Sequence, residues 1–118
     1  MSTAAADCLF CKFASGAIKP AVVLETEHVL AFKDINPQAP THVLIIPKRH
    51  VATLNDLAAG DAALMGELLL AAKQVAADAG LADSGYRVTI NCGAGAGQSV
   101  FHVHLHLLGG RHLSWPPG

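Results

Sequence analysis

The run His102-Val103-His104-Leu105-His106-Leu107-Leu108 places a histidine at every second position, with an apolar residue between each pair. Side chains on a β-strand point alternately to opposite faces. The run therefore predicts a strand with three imidazoles on one face and Val103, Leu105 and Leu107 on the other. Because buried imidazoles cost free energy unless they have partners, three in strict alternation indicate a functional site more than simple packing.

Four further strands are predicted from apolar and β-branched runs that are bounded by turn residues. They cover residues 22–25, 29–33, 42–46 and 86–91. Asp34 and two prolines favour a loop over residues 34–40, because proline disfavours helix and aspartate suits turns.

One long helix is predicted to begin at Gly60 or Asp61 and to end at Gly80. Its buried stripe, spaced at helical intervals, comprises Leu64, Leu68, Ala71 and Val75. Residues 54–58 favour a single helical turn. About five strands, one long helix and one or two short helices, joined by short connections, predict an α+β fold with an antiparallel sheet.

Length and composition narrow the class of protein. A chain of 118 residues predicts one domain spanning residues 1–118. With 52% hydrophobic and only 14% charged residues, the chain is expected to hide one face in an oligomer. A net charge of −1 argues against a broad nucleic-acid surface.

Neither a membrane anchor nor a secretory signal is expected. No apolar run approaches the roughly 20 residues of a membrane-spanning helix. Residues 1–7 lack the basic and apolar regions of a secretory signal. The expected compartment is the cytoplasm, whose reducing conditions disfavour disulfides.

The histidine run and the loop before it suit a phosphate ester or anhydride, which needs a nucleophile and donors for its oxygens. His104 is the candidate nucleophile, and His106 can donate to a phosphate oxygen. The glycine-rich residues 93–99 can turn backbone N–H groups toward an anion, and Ser99 adds a hydroxyl. The loop alone is neither a P-loop nor a dinucleotide fingerprint, because it leads into a strand.

Taken together, these motifs resemble the histidine triad (HIT) superfamily, and most closely its Hint branch of histidine triad nucleotide-binding proteins. The likeness runs nearly end to end, over residues 32–48, 97–101, 102–108, 108–111 and 115–118. It implies a homodimeric α+β fold that binds purine nucleoside monophosphates. It also implies cleavage of the bond between the nucleotide α-phosphorus and an amine leaving group.

By position, the resemblance makes His104 a nucleophile that transiently carries the nucleotidyl group. His106, Ser99 and Gly97 would lie at the phosphate, and His42 would lie behind His104 as its orienting partner. Such a mechanism requires no catalytic metal, but a fixed acceptor, either a backbone carbonyl or a neighbouring histidine, must set the tautomer of the attacking imidazole. Histidine at the third triad position, where nucleotide-transferring branches typically have glutamine, favours a hydrolase.

The resemblance also implies a nucleoside pocket. Asp34 would accept hydrogen bonds from the ribose hydroxyls, because a carboxylate is a pure acceptor. The remaining implied contacts are Phe32, Ile35 and Leu44 around the base and Asn91 near the nucleophile. Simpler interpretations stay open, since Asp34 could cap a turn and His42 could be structural.

Cys8-Leu9-Phe10-Cys11 places two thiols at a spacing that can bind zinc together with two further ligands. An inert pair and a redox pair are the alternatives, although the βαβ context of a redox motif is missing. Zinc-containing bacterial members of the superfamily resemble this chain here. That resemblance implies that His50 and His102 complete a closed, structural Cys₂His₂ site.

The tail Trp115-Pro116-Pro117-Gly118 favours the Hint branch, in which it packs across the dimer and shapes the substrate pocket of the partner. A frayed end is the alternative. The leading function is a purine nucleoside phosphoramidase. The alternatives are a nucleotide-binding regulatory or interaction protein with incidental hydrolysis, and a dinucleoside polyphosphate hydrolase.

Overall fold

The structure, a computed structural model, describes residues 7–118. The prediction that residues 1–7 form no secretory signal therefore falls outside the described residues, except at Asp7. The described chain contains two α-helices and five strands. In order they are α1 (Leu9–Ser15), β1 (Val22–Glu25), β2 (Val29–Lys33), β3 (Thr41–Pro47), α2 (Ala62–Asp78), β4 (Tyr86–Ile90) and β5 (Leu105–Gly109). Short 3₁₀ turns cover Leu54–Asp56, Ala59–Asp61 and Ala94–Ala96.

The five strands form one sheet in the order β1-β2-β3-β5-β4, and every neighbouring pair is antiparallel. The predicted α+β class and antiparallel sheet are confirmed. Strand β5 lies between β3 and β4, and His106 stands directly opposite Leu44 on β3 and Thr89 on β4. The histidine segment therefore runs through the interior of the sheet.

Helix α2 covers one face of the sheet and forms the main core with it. Leu68, Ala71 and Val75 of the predicted stripe are buried there, whereas Leu64 is only half-buried. Leu105 and Leu107, the apolar residues of the histidine run, are fully buried in the same cluster. Burial of side chains of this size contributes about 1.5–3 kcal/mol each, and this face holds the larger of the two apolar clusters.

Helix α1 lies over the opposite face, where Phe10 packs against Phe32 with a ring separation of 5.3 Å. No helix was predicted at this position from the sequence. The helix is only seven residues long, with the Cys8 sulfur accepting a hydrogen bond from the Cys11 N–H at its start. So short a helix depends on contacts distant in sequence for its stability.

The predicted histidine strand is shorter than expected, because β5 begins only at Leu105. The β3 ladder ends at Pro47, which has no N–H, and the Pro47 carbonyl accepts from the His102 ring instead. Val103 donates its N–H to the carbonyl of Val51 at 2.6 Å. His102 and His104 therefore lie just before the strand, and His106 lies within it.

Within residues 7–118, we find no helix that combines the length and the apolar character needed to cross a bilayer.

Candidate active site

A cavity of about 580 Å³ lies between α1 and the sheet face that carries His106. All nine residues predicted to bind a nucleotide line this cavity. They are Phe32, Asp34, Ile35, Leu44, Asn91, Gly97, Ser99, His104 and His106. The structure thus brings together side chains from β2, β3, β5, the loop after β4 and the segment before β5.

Helix α1 also contributes to this cavity, which was not predicted from the sequence. Leu9, Phe10 and Phe13 all line it, and Phe10 packs edge-on against His104 with a ring separation of 5.1 Å. Phe10 and Phe13 are three residues apart, which places both rings on one side of a helix. That spacing was the signal available in the sequence.

The geometry of His104 assigns its tautomer. Its Nδ1 lies 2.7 Å from the carbonyl oxygen of His102, and a carbonyl can only accept, so Nδ1 carries the proton. In the neutral ring, Nε2 then keeps a free lone pair. Burial is the largest cause that lowers the pKa of His104, which favours this neutral form.

His42 contacts His106 and not His104, so its expected place behind the nucleophile is wrong. The His42 Nε2 lies 2.9 Å from the Nδ1 of His106. The reason is the register: Leu44 is directly opposite His106, and His42 is two residues along on the same face of β3.

His42 also determines which ring nitrogen of His106 carries the proton. The backbone N–H of Gln38 donates to the His42 Nδ1 at 3.0 Å, so the proton of the neutral His42 ring is on Nε2. That Nε2–H donates to the His106 Nδ1, which leaves the His106 Nε2 as a donor. His106 therefore offers an N–H and His104 a lone pair beside the same cavity.

Asp34 caps a turn and also lines the cavity. Its Oδ1 accepts the N–H of Asn36 at 2.9 Å, which is a turn cap. Its Oδ2 lies 3.4 Å from the His42 Nε2, and the residue also lines the cavity. The carboxylate is thus anchored by its own turn while it faces the histidines.

The glycine-rich loop is positioned by Gln98, a buried residue that the sequence analysis passed over. The Gln98 Oε1 accepts the N–H of Gly93 at 2.8 Å, and its Nε2 donates to the carbonyl of Ala52 at 2.8 Å. Gly93 and Gly97 have φ angles of 84° and 91°, which favour glycine. These bonds set Ser99 at the edge of the cavity.

We expect His106 to make the stability of the fold sensitive to acid. Burial, then the neighbouring His104 and His42, lower its pKa to about 4 from an ordinary value of 6.5. The unfolded chain therefore binds this proton more readily, and the stabilisation present above pH 6.5 is lost as the pH falls toward about 4. Urea unfolding at several pH values across this window should show a smaller acid-induced loss in His106→Gln than in the wild type. Equal losses would contradict the prediction.

Four residues form a second cluster at the base of α1. The thiols of Cys8 and Cys11 and the Nδ1 atoms of His50 and His102 all lie within 4.8 Å of one another. Three sulfur–nitrogen distances in the cluster are 3.2–3.4 Å, and the two nitrogens are 3.2 Å apart. Tetrahedral zinc with ordinary bond lengths would need sulfur–nitrogen separations of about 3.5–3.6 Å and a nitrogen–nitrogen separation of about 3.3–3.4 Å, close to those observed.

The chemistry of the donors also fits zinc. The His102 Nε2 donates to the carbonyl of Pro47 at 2.7 Å, so its Nδ1 presents a lone pair to the cluster. Burial is the main cause that lowers the pKa of His102 to about 4, which keeps this ligand neutral. The cluster joins α1 to the segments that follow β3 and precede β5.

Asp34, His42 and His106 form another group of close ligand atoms, but their proton positions oppose metal binding. The Gln38 N–H occupies the His42 Nδ1, so a metal on Nε2 would require a fully deprotonated imidazole. The cluster of Cys8, Cys11, His50 and His102 is therefore suited to a metal cation. The group of Asp34, His42 and His106 is suited to a chain of hydrogen bonds.

Two arginines tie the C-terminal segment to strand β4 and to the loop after β2. The Arg87 Nη2 donates to the carbonyl of Ser114 at 3.0 Å, and the Arg111 Nε donates to the carbonyl of Gln38 at 3.0 Å. Trp115 itself is 81% exposed. The tail thus presents a large aromatic ring to the outside of this protomer.

The HIT domain family matches residues 15–113 of the chain, and the chain belongs to this family. The fold and the clustered histidines agree with that membership, and the chain is a HIT-family, hydrolase-like protein. The resemblance to the HIT superfamily is confirmed.

Relatives and solved structures span nearly the whole chain. A 14 kDa zinc-binding protein of Zea mays is 53% identical over 113 residues, covering 93% of this chain and 87% of the relative. A HIT family hydrolase of Legionella pneumophila is 54% identical with a TM-score of 0.93, covering 95% of this chain and 100% of that chain. A histidine triad nucleotide-binding protein of Candida albicans is 35% identical with a TM-score of 0.79, covering 93% and 83%.

Proposed function

We propose that this protein is a purine nucleoside phosphoramidase of the Hint type, which acts through a nucleotidyl intermediate on His104. The observation that carries the proposal is the bond from the His104 Nδ1 to the His102 carbonyl, since it leaves a nucleophilic Nε2 at the cavity. The cavity also has the chemistry for a nucleotide, with apolar walls, a carboxylate and N–H and O–H donors.

In the proposed reaction, the His104 Nε2 lone pair attacks the α-phosphorus and the bond from phosphorus to the amine nitrogen breaks. The amine departs after taking a proton from solvent, and water then cleaves the bond between phosphorus and His104 and returns a proton to solvent. The His106 N–H and the Ser99 hydroxyl stabilise charge on the phosphate oxygens. Asp34 holds the ribose, and Phe32, Ile35 and Leu44 enclose the base.

The test compares three properties of the wild-type protein: AMP binding, hydrolysis of an adenosine phosphoramidate, and hydrolysis of a diadenosine polyphosphate. We expect binding together with preferred hydrolysis of the phosphoramidate. A mass increase of one nucleotidyl group on a peptide containing His104, trapped by acid quench, would identify the intermediate. Binding without turnover would favour a regulatory binding protein, and preferred cleavage of the polyphosphate would favour that hydrolase.

We further propose that zinc occupies the Cys₂His₂ cluster and stabilises the fold. The ligands would be Cys8, Cys11, His50 and His102, whose separations and lone pairs suit a tetrahedral site. The name of the maize relative supports this assignment for a closely similar chain. Since all four positions come from the protein, the metal would be structural and not catalytic.

A homodimer completes the proposal. Leu69 and Leu70 of α2 are 51% and 66% exposed, and Tyr86 is exposed on the edge strand β4. Exposed apolar side chains on a helix and an unpaired sheet edge are each features that suit a second copy. In the dimer, Trp115 would reach the substrate pocket of the partner.

Deleting residues 115–118 is therefore expected to alter leaving-group preference more than folding. Loss of an aromatic anchor should change the ratio of kcat/KM values between phosphoramidates with small and bulky amines by about fivefold or more. The melting temperature should stay close to that of the wild type, because Trp115 is largely exposed within the protomer. Trp115→Phe is the matched control and should keep most of the preference. Identical ratios in the deletion variant and the wild type would contradict this role.

A further inference from the structure

The main cavity has two distinguishable ends. One neighbouring hollow shares Leu9, Ser99 and Val100 with it. A different hollow shares residues of the turn between α1 and β1 and the end of α1, namely Phe13, Ile18, Lys19 and Pro20. The two hollows share no lining residue, so they adjoin the main cavity at different places. The cavity therefore extends from Ser99 at one end to Lys19 at the other.

This polarity orients a nucleotide that binds as proposed above, and the present inference rests on that proposed function. The phosphate lies at Ser99, His104 and His106, and the ribose lies at Asp34. The base then points away from the histidines, toward the end of the cavity that carries Ile18 and Lys19. The edge of the purine that is remote from the ribose would face the Lys19 side chain.

Among the described residues that line the cavity, Lys19 is the cationic side chain at this end. Lys33 also lines the cavity, but it adjoins Asp34 and borders a further hollow beside Thr41 and His42. Glu25 lines the hollow next to Lys19 and could compete for its ammonium. However, the Glu25 Oε2 already accepts a hydrogen bond from the Lys48 Nζ at 2.6 Å.

We propose that Lys19 selects 6-oxopurine nucleotides, such as those of guanine, over adenine nucleotides. An ammonium is a donor only. On that remote edge, guanine presents the acceptor O6 at position 6, whereas adenine carries at the same position an amino group that is itself a donor. Lys19 can therefore donate to O6 of guanine, while at the same position of adenine its ammonium meets a second donor.

The test measures dissociation constants for GMP and AMP by calorimetry in the wild type, Lys19→Met and Lys19→Glu. We expect the wild type to bind GMP about threefold to tenfold more tightly than AMP, the effect of one hydrogen bond to a charged donor near the surface. Lys19→Met should bring the two constants together. Lys19→Glu replaces the donor with an acceptor and should reverse the order, even though its negative charge weakens both nucleotides.

Lys12→Met is the matched control, because Lys12 is an exposed lysine of α1 that does not line the cavity. It removes the same charge and should keep the preference of the wild type. The ratio of kcat/KM values for guanosine and adenosine phosphoramidates should follow the same pattern.

The outcomes separate this inference from the proposed function. If both nucleotides bind but their ratio is the same in all four proteins, the role of Lys19 is overturned and the nucleotide site stands. If Lys19→Met weakens both equally, Lys19 supplies charge only and the selection is likewise overturned. If the wild type binds neither nucleotide, the proposed function fails and this inference fails with it.

Discussion

Replacing His104 with alanine is expected to lower kcat for hydrolysis of an adenosine phosphoramidate by about 10⁴-fold or more, as the loss of a covalent nucleophile usually does. The expected loss of activity follows from the hydrogen bonding of the His104 ring. The bond from Nδ1 to the His102 carbonyl makes Nε2 of this ring the nucleophile, and the variant has no other group at that position.

Binding should change much less than catalysis in His104→Ala. The other contacts proposed for the nucleotide come from β2, β3, β5 and the loops that follow β2 and β4, and all of these residues are retained in the variant. We expect the dissociation constant for AMP to change by no more than about tenfold, since truncating one residue of a site rarely costs more unless it is a hot spot. A quench of the variant should trap no nucleotidyl adduct.

His28→Ala is the matched control for His104→Ala. Its imidazole is exposed and hydrogen-bonds Glu67 of α2 at 3.2 Å, on the surface near a different hollow. This variant should keep wild-type kcat. Equal activity of His104→Ala and His28→Ala would show that the nucleophile is elsewhere.

The alternation of histidine and apolar residues predicted the two sides of β5 correctly, because period two is a local property of an extended chain. Leu105 and Leu107 are buried under α2, and His106 lies on the face that carries the cavity. The turn cap at Asp34 was likewise a local signal. The other four predicted strands agree with the structure to within one residue at each end.

What the sequence could not predict depends on contacts between distant segments. The partner of His42 follows from the register of β3 against β5, and a shift of two residues would have placed it elsewhere. The tautomers of His104 and His42 are set by a carbonyl and an N–H of the backbone, groups that every residue possesses. No residue type marks such a role in a sequence.

Helix α1 was also difficult to predict from the sequence, because its structure depends on distant contacts. Its cysteines were recognised as a possible pair of metal ligands, but its helical structure and its aromatic contribution to the cavity were not. Phe10 sits between Cys8 and Cys11, and its ring packs near both His102 and His104, at 6.1 and 5.1 Å. A seven-residue helix is defined by those distant partners and hardly at all by its own propensity.

Cys11→Ser is expected to lower the zinc content of the purified protein well below one ion per chain and to reduce the free energy of unfolding by about 3 kcal/mol or more. Cys11 is buried, and the proposed ion would bind three segments that are far apart in sequence. A metal that binds only the folded state stabilises that state. Loss of the metal should therefore lower the free energy of unfolding. Metal analysis and urea unfolding, each with and without a chelator, measure both effects.

Cys92→Ser is the control, because Cys92 is half-buried and lies outside the cluster. This variant should retain zinc and wild-type stability. Chelation should destabilise the wild type and Cys92→Ser equally and have little further effect on Cys11→Ser. Metal-free wild type that unfolds at the same urea concentration as the untreated protein would contradict a structural zinc site.

The same substitution should also weaken nucleotide binding, although Cys11 does not line the cavity. Leu9 and Phe10 do line it, and they lie between the two cysteines at the start of α1. Without the ion, α1 would keep its packing on Phe32 but lose its attachment to His50 and His102. The dissociation constant for AMP should therefore rise in Cys11→Ser and stay unchanged in Cys92→Ser, which links the proposed metal site to the wall of the substrate cavity.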